Sequence, residues 1–179
     1  KRLLKYKKCR LDSGVNFEKS QNFKLSGFSD SDWGGSVDDM KSTSGYCFNL
    51  GSGVFSWCSK KQEIVAQSTA EAEFIAATAA ATHALWLRKV LSDLHMVQNE
   101  GTEIFVDNQA AIAISRNPVF HGKTKHFNIK LYFLREVQQT GKVKLAYCKS
   151  EDQLADLFTK PLPVGKFELL RKMIGICSA

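Results

Sequence analysis

The spacing of apolar residues along the chain switches between two periods, and each switch marks an element. Residues 23–30 alternate apolar and polar as a half-buried strand does, and that strand is expected to run out at Asp30. Residues 45–50 and 54–58 read as two more strands, joined through Gly51-Ser52-Gly53 as a hairpin. Residues 102–106 and 142–148 give a fourth and a fifth. Helical spacing governs the segments near 69–95, 108–115 and 127–139. Ser150 and Gln153 have the spacing of a capping box for a helix that ends before Pro161, and a last short helix fits within 161–179. The order is three strands, helix, strand, two helices, strand, helix. It predicts an α/β fold with a five-stranded mixed sheet flanked by helices, a meander first and crossovers after it.

The opening of the long helix, Ser68-Thr69-Ala70-Glu71-Ala72-Glu73, holds two carboxylates with different prospects. Ser68 and Glu71 fit the S-x-x-E capping box, in which the Glu side chain turns back to the N-cap amide. Glu73 shares a direction with Ala77, Ala80, Ala84, Leu87 and Leu91, all within about 40° of it at about 100° per residue. It therefore heads the apolar stripe, whereas Glu71 points about 160° away, among Thr78, Thr82 and Lys89. A carboxylate on the buried side of a helix needs a partner, and a metal ion is a common one.

Three more acids could share that partner. Asp30 closes the first strand, Asp107 follows the fourth, and Asp156 lies in the helix after the fifth. Sites in open α/β sheets gather beyond the carboxyl ends of strands. Four carboxylates with few other ligands describe a hard-cation site suited to Mg²⁺. Each acid also has an ordinary reading: Asp30 and Asp107 as turn formers or helix N-caps, and Asp156 as a solvated helix residue.

Charge adds a second theme. The net charge of +7 comes from two basic blocks, residues 1–24 with eight Lys/Arg against two acids, and residues 115–149 with eight against one. The rest of the chain is acidic. Basic blocks beside a separate acidic cluster suit a protein that binds a polyanion and acts on it through metal-held carboxylates, although a solvated lysine-rich surface has the same composition. The five cysteines form no C-x-x-C pair, which argues for a reducing compartment and against a zinc site. No apolar run approaches the ~20 residues that span a bilayer. The first residue is not Met, so the chain reads as a fragment or a processed product.

Six segments carry a family resemblance: Gly27-Phe-Ser-Asp30-Ser-Asp32-Trp33-Gly34-Gly35, Lys41-Ser-Thr-Ser-Gly-Tyr46, Ser68-Thr-Ala-Glu-Ala-Glu73-Phe, Val106-Asp107-Asn-Gln-Ala-Ala111, Lys123-Thr-Lys-His126 and Glu151-Asp-Gln-Leu-Ala-Asp156-Leu-Phe-Thr-Lys160-Pro-Leu162. Together they resemble the ribonuclease H domain of copia-type LTR retrotransposon polyproteins, with plant elements closest. The resemblance implies a ribonuclease H-like fold over residues 23–160, preceded by the end of a reverse transcriptase connection (1–22) and followed by a tail (161–179). It implies cleavage of the RNA strand of RNA–DNA hybrids during reverse transcription, in an intracellular, reducing setting: a cytoplasmic virus-like particle, or alternatively the nucleus. Its partners would be the hybrid and the reverse transcriptase domain of the same polyprotein, with no membrane.

Carried over by motif, Asp30, Glu73, Asp107 and Asp156 would be the catalytic metal ligands for two Mg²⁺ ions, with Mn²⁺ as a substitute. Asp32 rivals Asp30 for the first position, and Asp152, one turn before Asp156, would tune it. Many cellular relatives place a His before the last helix. Here that loop is Cys148-Lys149-Ser150-Glu151. His126 is the nearest candidate for contact with phosphate, while His83 and His95 read as structural. Hybrid contacts would fall on sugar and phosphate, with Lys60, Arg116, Lys123, Lys125 and His126 as candidates. Trp33 and Trp57 could stack on nucleotides, but packing in the core or at a hinge suits both better. Two alternatives stay open: a decayed or domesticated nucleic-acid-binding remnant, and a related integrase-like two-metal nuclease.

Overall fold

A computed structural model describes residues 13–17, 23–116 and 125–178. Five strands form the main sheet: β2 (Leu25–Asp32), β3 (Thr43–Leu50), β4 (Gly53–Lys61), β5 (Thr102–Val106) and β6 (Val143–Tyr147). Their order is β4-β3-β2-β5-β6. The first three pair antiparallel as a meander, and β5 and β6 join parallel to β2. This is the mixed sheet that the alternation predicts. A second, two-stranded sheet pairs β1 (Ser13–Val15) with β7 (Ile176–Ser178). Three-residue strands carry almost no periodic signal, so the sequence gives no warning of it.

The long helix α1 (Thr69–Asp93) crosses one face of the sheet. Ala77, Ala80, Ala84, Leu87 and Leu91 are all buried, as the stripe predicts. Alanines keep the helix close to the strands and cost no side-chain entropy. The shorter helices α2 (Gln109–Arg116) and α3 (Lys125–Gln139) complete that layer. Phe74 meets Phe127 there with ring centroids 5.0 Å apart, inside the core cluster that includes Leu25, Phe48, Ile104 and Leu134. The opposite face carries a smaller core of Cys47, Val54, Leu154, Leu170 and Ile174. It is covered by a 3₁₀ helix (Leu154–Phe158) and by α4 (Val164–Met173).

Several expectations change. β2 continues to Asp32, so Asp30 lies within the strand rather than at its end. The capping box at Ser150 does not form. Residues 150–152 are turn and bend, and Gln153 itself caps the 3₁₀ helix, its side chain accepting from the Ala155 N–H. Asp152 therefore shares no helical face with Asp156. The division drawn at residue 160 runs through the second core, since α4 buries Leu170 completely. Neither Trp33, 50% exposed, nor Trp57, 61% exposed, is a core residue. Much of the basic block 1–24, and residues 117–124 of the block 115–149, lie outside the described residues. Among the described residues, no helix is long and apolar enough to cross a membrane.

Candidate metal centre

Three carboxylates converge where β2, α1 and β5 meet. Asp30 arrives from the sheet, Glu73 from the second turn of α1, and Asp107 from the residue after β5. One oxygen of each lies within 4.8 Å of the other two. The antiparallel and parallel partners of β2 set this meeting point. Asp30 is opposite Gly45 on β3, and Phe28, one alternation earlier, is opposite Phe105 on β5.

Local chemistry separates each acid from its ordinary reading. Asp107 is not the N-cap of α2, because Asn108 Oδ1 takes that role from the Ala111 N–H at 3.0 Å. Glu73 is 5% exposed, and its Oε1 accepts from the Ser31 N–H at 2.9 Å. Its Oε2 is buried with no hydrogen-bond partner. Glu71 is buried as well, so burial alone would not have distinguished the two glutamates. Direction does. Ser68 Oγ accepts from the Glu71 N–H, and the Glu71 carboxylate accepts from the Gln67 N–H at 3.1 Å, one residue before the expected cap amide.

Asp30 is 1% exposed and accepts a short hydrogen bond from the Thr159 hydroxyl. Gly45 makes that contact possible: a Cβ there would stand 2.6 Å from Thr159 Cγ2 and 3.0 Å from Phe158 Cβ. Asp32, the rival, is half-buried and faces the turn at Gly35. It does not enter the cluster. A buried side chain that periodicity could not single out holds the surrounding frame together. Gln62 Nε2 donates to Ser31 Oγ, Ser44 Oγ and Ala72 O, clipping β2, β3 and α1 to one another. Gln153 does the same for the 3₁₀ helix, donating to Ser29 O at 3.0 Å.

The fourth acid sits beside the cluster in different company. Asp156 is 1% exposed, with Lys160 Nζ 2.8 Å from its Oδ1 and Lys166 Nζ 2.5 Å from its Oδ2. Lys160 also reaches Asp30 Oδ2 at 3.4 Å. Sequence reasoning placed Asp156 near the other acids but missed both lysines. Lys160 was visible as an i,i+4 partner. Lys166 comes from α4, beyond the expected domain edge.

Burial raises the proton affinity of two of these acids, Glu73 and Asp30. Burial pushes the Glu73 carboxyl up to about 9, reinforced by Asp30 and opposed by the Ser31 amide. Burial also raises Asp30, against the Thr159 hydroxyl and Lys160, which favour its charged form. Burial alone would lower the Lys160 pKa, but Asp156 and Asp30 outweigh it and hold the ammonium above the usual lysine range. An orphaned buried oxygen amid three carboxylates fits a hard divalent cation, whose charge would relieve that repulsion. Asp30, Glu73 and Asp107 are the residues that would hold it.

The nucleic-acid candidates divide. Lys60, on edge strand β4, is opposite Ser44, which is itself opposite Ser31. It is therefore level with the acids across two strands, and among the described residues its ion pair is with exposed Glu63 at 3.6 Å. Arg116 ends α2 at the far side of the sheet. There it lines a cavity of about 1120 Å³ with Lys24, Arg135 and Lys144, at the starts of β2, β5 and β6. This cavity is thus at the opposite strand ends from the carboxylates. Lys123 and the side chains of Lys125 and His126 lie outside the described residues. His83 is structural, bonded to Ser56 Oγ at 2.8 Å and packed on Tyr46, Phe48 and Trp86. His95 falls just after α1, with φ of 61°.

The chain has relatives among plant transposon polyproteins. It is 38% identical over 154 residues, 86% of its length, to the retrovirus-related Pol polyprotein from transposon TNT 1-94 of Nicotiana tabacum. It is 35% identical over 176 residues, 98% of its length, to that from transposon RE2 of Arabidopsis thaliana. It spans about 12% of the length of these curated relatives. No family model matches. Among solved structures, it superposes on an RNase H1 isolated from compost by a metagenomic approach, with TM-score 0.55, 15% identity, and coverage of 76% of this chain and 93% of that one. It also superposes on the foamy viral protease-reverse transcriptase in complex with RNA/DNA hybrid, with TM-score 0.56, 11% identity, and coverage of 82% of this chain and 21% of that one. At these identities the structural matches carry the fold alone. Over most of its length, then, the chain is a homologue of a segment of plant copia-type Pol polyproteins, and that segment has the ribonuclease H fold.

Proposed function

We propose that this segment is the nuclease that cuts the RNA strand of RNA–DNA hybrids during reverse transcription of a retrotransposon, in a Mg²⁺-dependent reaction. The observation that carries the reading is the convergence of Asp30, Glu73 and Asp107 within 4.8 Å around a buried Glu73 oxygen that no protein donor satisfies.

When bound, two Mg²⁺ ions, or Mn²⁺ in their place, supply activation of the attacking water and stabilisation of the leaving 3′-oxygen. The chain supplies position. The Ser31 amide and the Thr159 hydroxyl each hold one carboxylate oxygen, so Glu73 and Asp30 are oriented before substrate arrives. Asp30 and Asp156 flank a second place beside the triad. The hybrid would be recognised by groove shape, 2′-hydroxyls and phosphates rather than by base edges. Lys60, level with the acids on β4, is the best-placed described cation to meet the backbone, and Lys123, Lys125 and His126 remain candidates. In the whole polyprotein the partner would be the reverse transcriptase domain.

Cleavage of an end-labelled hybrid, with double-stranded DNA and double-stranded RNA as controls, tests the reading. Cutting confined to the RNA strand of the hybrid and abolished by EDTA is expected. Binding of the hybrid without cleavage at any Mg²⁺ concentration would favour the nucleic-acid-binding remnant.

A further inference from the structure

The Asp30–Asp156 gap already contains a cation belonging to the chain. Lys160 Nζ lies 2.8 Å from Asp156 Oδ1 and 3.4 Å from Asp30 Oδ2, bridging the two acids. Its side chain is only one-third exposed, whereas both carboxylates are almost wholly buried. Thr159, the preceding residue, donates to Asp30, so the 3₁₀ helix presses both side chains onto the same carboxylate. Gly45 leaves the room for that approach. Lys166, itself bonded to Ser150 O at 3.0 Å, occupies the other oxygen of Asp156. Asp156 thus faces two ammonium groups, the one at its Oδ1 as an ion pair without hydrogen-bond geometry, whereas among the described residues Glu73 Oε2 of the triad meets neither a hydrogen-bond donor nor a cation. The two places are not equivalent. One lacks a cation, and the other has one built in.

We propose that Lys160 is a resident counter-cation that competes with the second divalent ion for the Asp30–Asp156 gap, so that the triad fills first and the second place fills only when Lys160 is displaced. An ammonium bridging two carboxylates does part of what a divalent ion would do there, holding the acids together against their repulsion. It must leave before an ion can enter, since two cations within about 4 Å in a low-dielectric site repel strongly. Lys160 is in this sense a positioning residue that sets the ion concentration at which the centre becomes complete. The inference rests on the nuclease reading for its consequence, but its geometry does not depend on that reading.

Titration of the full chain with Mn²⁺, followed by electron paramagnetic resonance without nucleic acid, tests it. Wild type should bind one ion tightly and a second only at much higher concentration. Lys160→Met should bind the second at least about tenfold tighter, as expected when a like charge about 4 Å away is removed. Lys160→Arg should keep the wild-type pattern. Equal second-site affinity in Lys160→Met and wild type would overturn the proposal. Should Lys160→Met fail to fold by circular dichroism, lysine acylation of the wild type, read by mass spectrometry, decides instead. Lys160 should react slowly without metal relative to exposed Lys89, and faster as Mn²⁺ fills the second place. A rate indifferent to Mn²⁺ would overturn the proposal. Neither readout involves cleavage, so an inactive chain with the predicted Mn²⁺ pattern would defeat the nuclease reading and leave the role of Lys160 standing.

Discussion

The Ser31 N–H donates to Glu73 Oε1 at 2.9 Å, so the strand residue next to Asp30 fixes the helix carboxylate that shares its site. One short stretch of β2 thereby supplies one acid and aims another. Glu73 Oε2 is left buried without a hydrogen-bond partner, which penalises the charged form of the carboxyl.

Glu73 ionises near 4.5 when unfolded and near 9 when folded without metal. A carboxyl raised in this way binds its proton more tightly in the native state, so its contribution to stability is fully present below about pH 4.5. It is lost as pH rises towards 9. Metal-free protein should therefore have a lower urea midpoint at pH 8.5 than at pH 6, from this group. Glu73→Gln should flatten the difference, and Mg²⁺ should raise the midpoint more at pH 8.5 than at pH 6. An unchanged pH dependence in Glu73→Gln would contradict the assignment.

Gly45→Ala places a methyl 2.6 Å from Thr159 Cγ2. Pushing the 3₁₀ helix off β3 should cost about 1–3 kcal/mol in thermal unfolding, the usual range for overpacking. It should also lower hybrid cleavage by loosening Thr159 from Asp30. Gly165→Ala is the contrast. It lies within α4 with nothing within 4 Å of its added Cβ, and should stabilise by about 0.5–1 kcal/mol.

Gln62→Leu removes the Nε2 amide and leaves the Ser31 and Ser44 hydroxyls and Ala72 O without that donor. A buried polar group stripped of its partner costs about 1–3 kcal/mol, so a loss of at least ~2 kcal/mol in denaturant unfolding is expected. Mn²⁺ affinity should fall with it, because Ser31 also holds Glu73.

Lys60→Gln should weaken hybrid binding and reduce the slope of log affinity against log salt by about 0.9, as for one lost phosphate contact. Arg116→Gln should leave both nearly unchanged, since Arg116 faces the cavity at the opposite strand ends. Fluorescence anisotropy at several salt concentrations separates the two outcomes.

The long-range frame was legible because it depends on periodic pattern. The five strands, the direction of Glu73 and the burial of Ala77 through Leu91 all follow from alternation or from 100° spacing. What escaped lies in features without a period. Gln62 and Gln153 are single polar residues in irregular segments, and their partners are fixed only once the sheet has formed. The β1–β7 pairing joins residues more than 160 positions apart through strands of three residues. In the sequence, Asp30 stands out from Asp32 only as the expected end of the first strand. The strand in fact runs on, and it is the approach of Thr159 over Gly45 that distinguishes Asp30. Lys166 was invisible for a related reason, since it comes from a helix on the far side of the expected boundary.

In the proposed reaction, Asp30, Glu73 and Asp107 would hold the metal at which the hybrid is cut. Single-turnover cleavage of an RNA–DNA hybrid by Glu73→Gln at saturating Mg²⁺ tests it most directly. A rate at least about 10²-fold below wild type, in a protein with unchanged circular dichroism and hybrid affinity, is the expected result. Cleavage at the wild-type rate would contradict it.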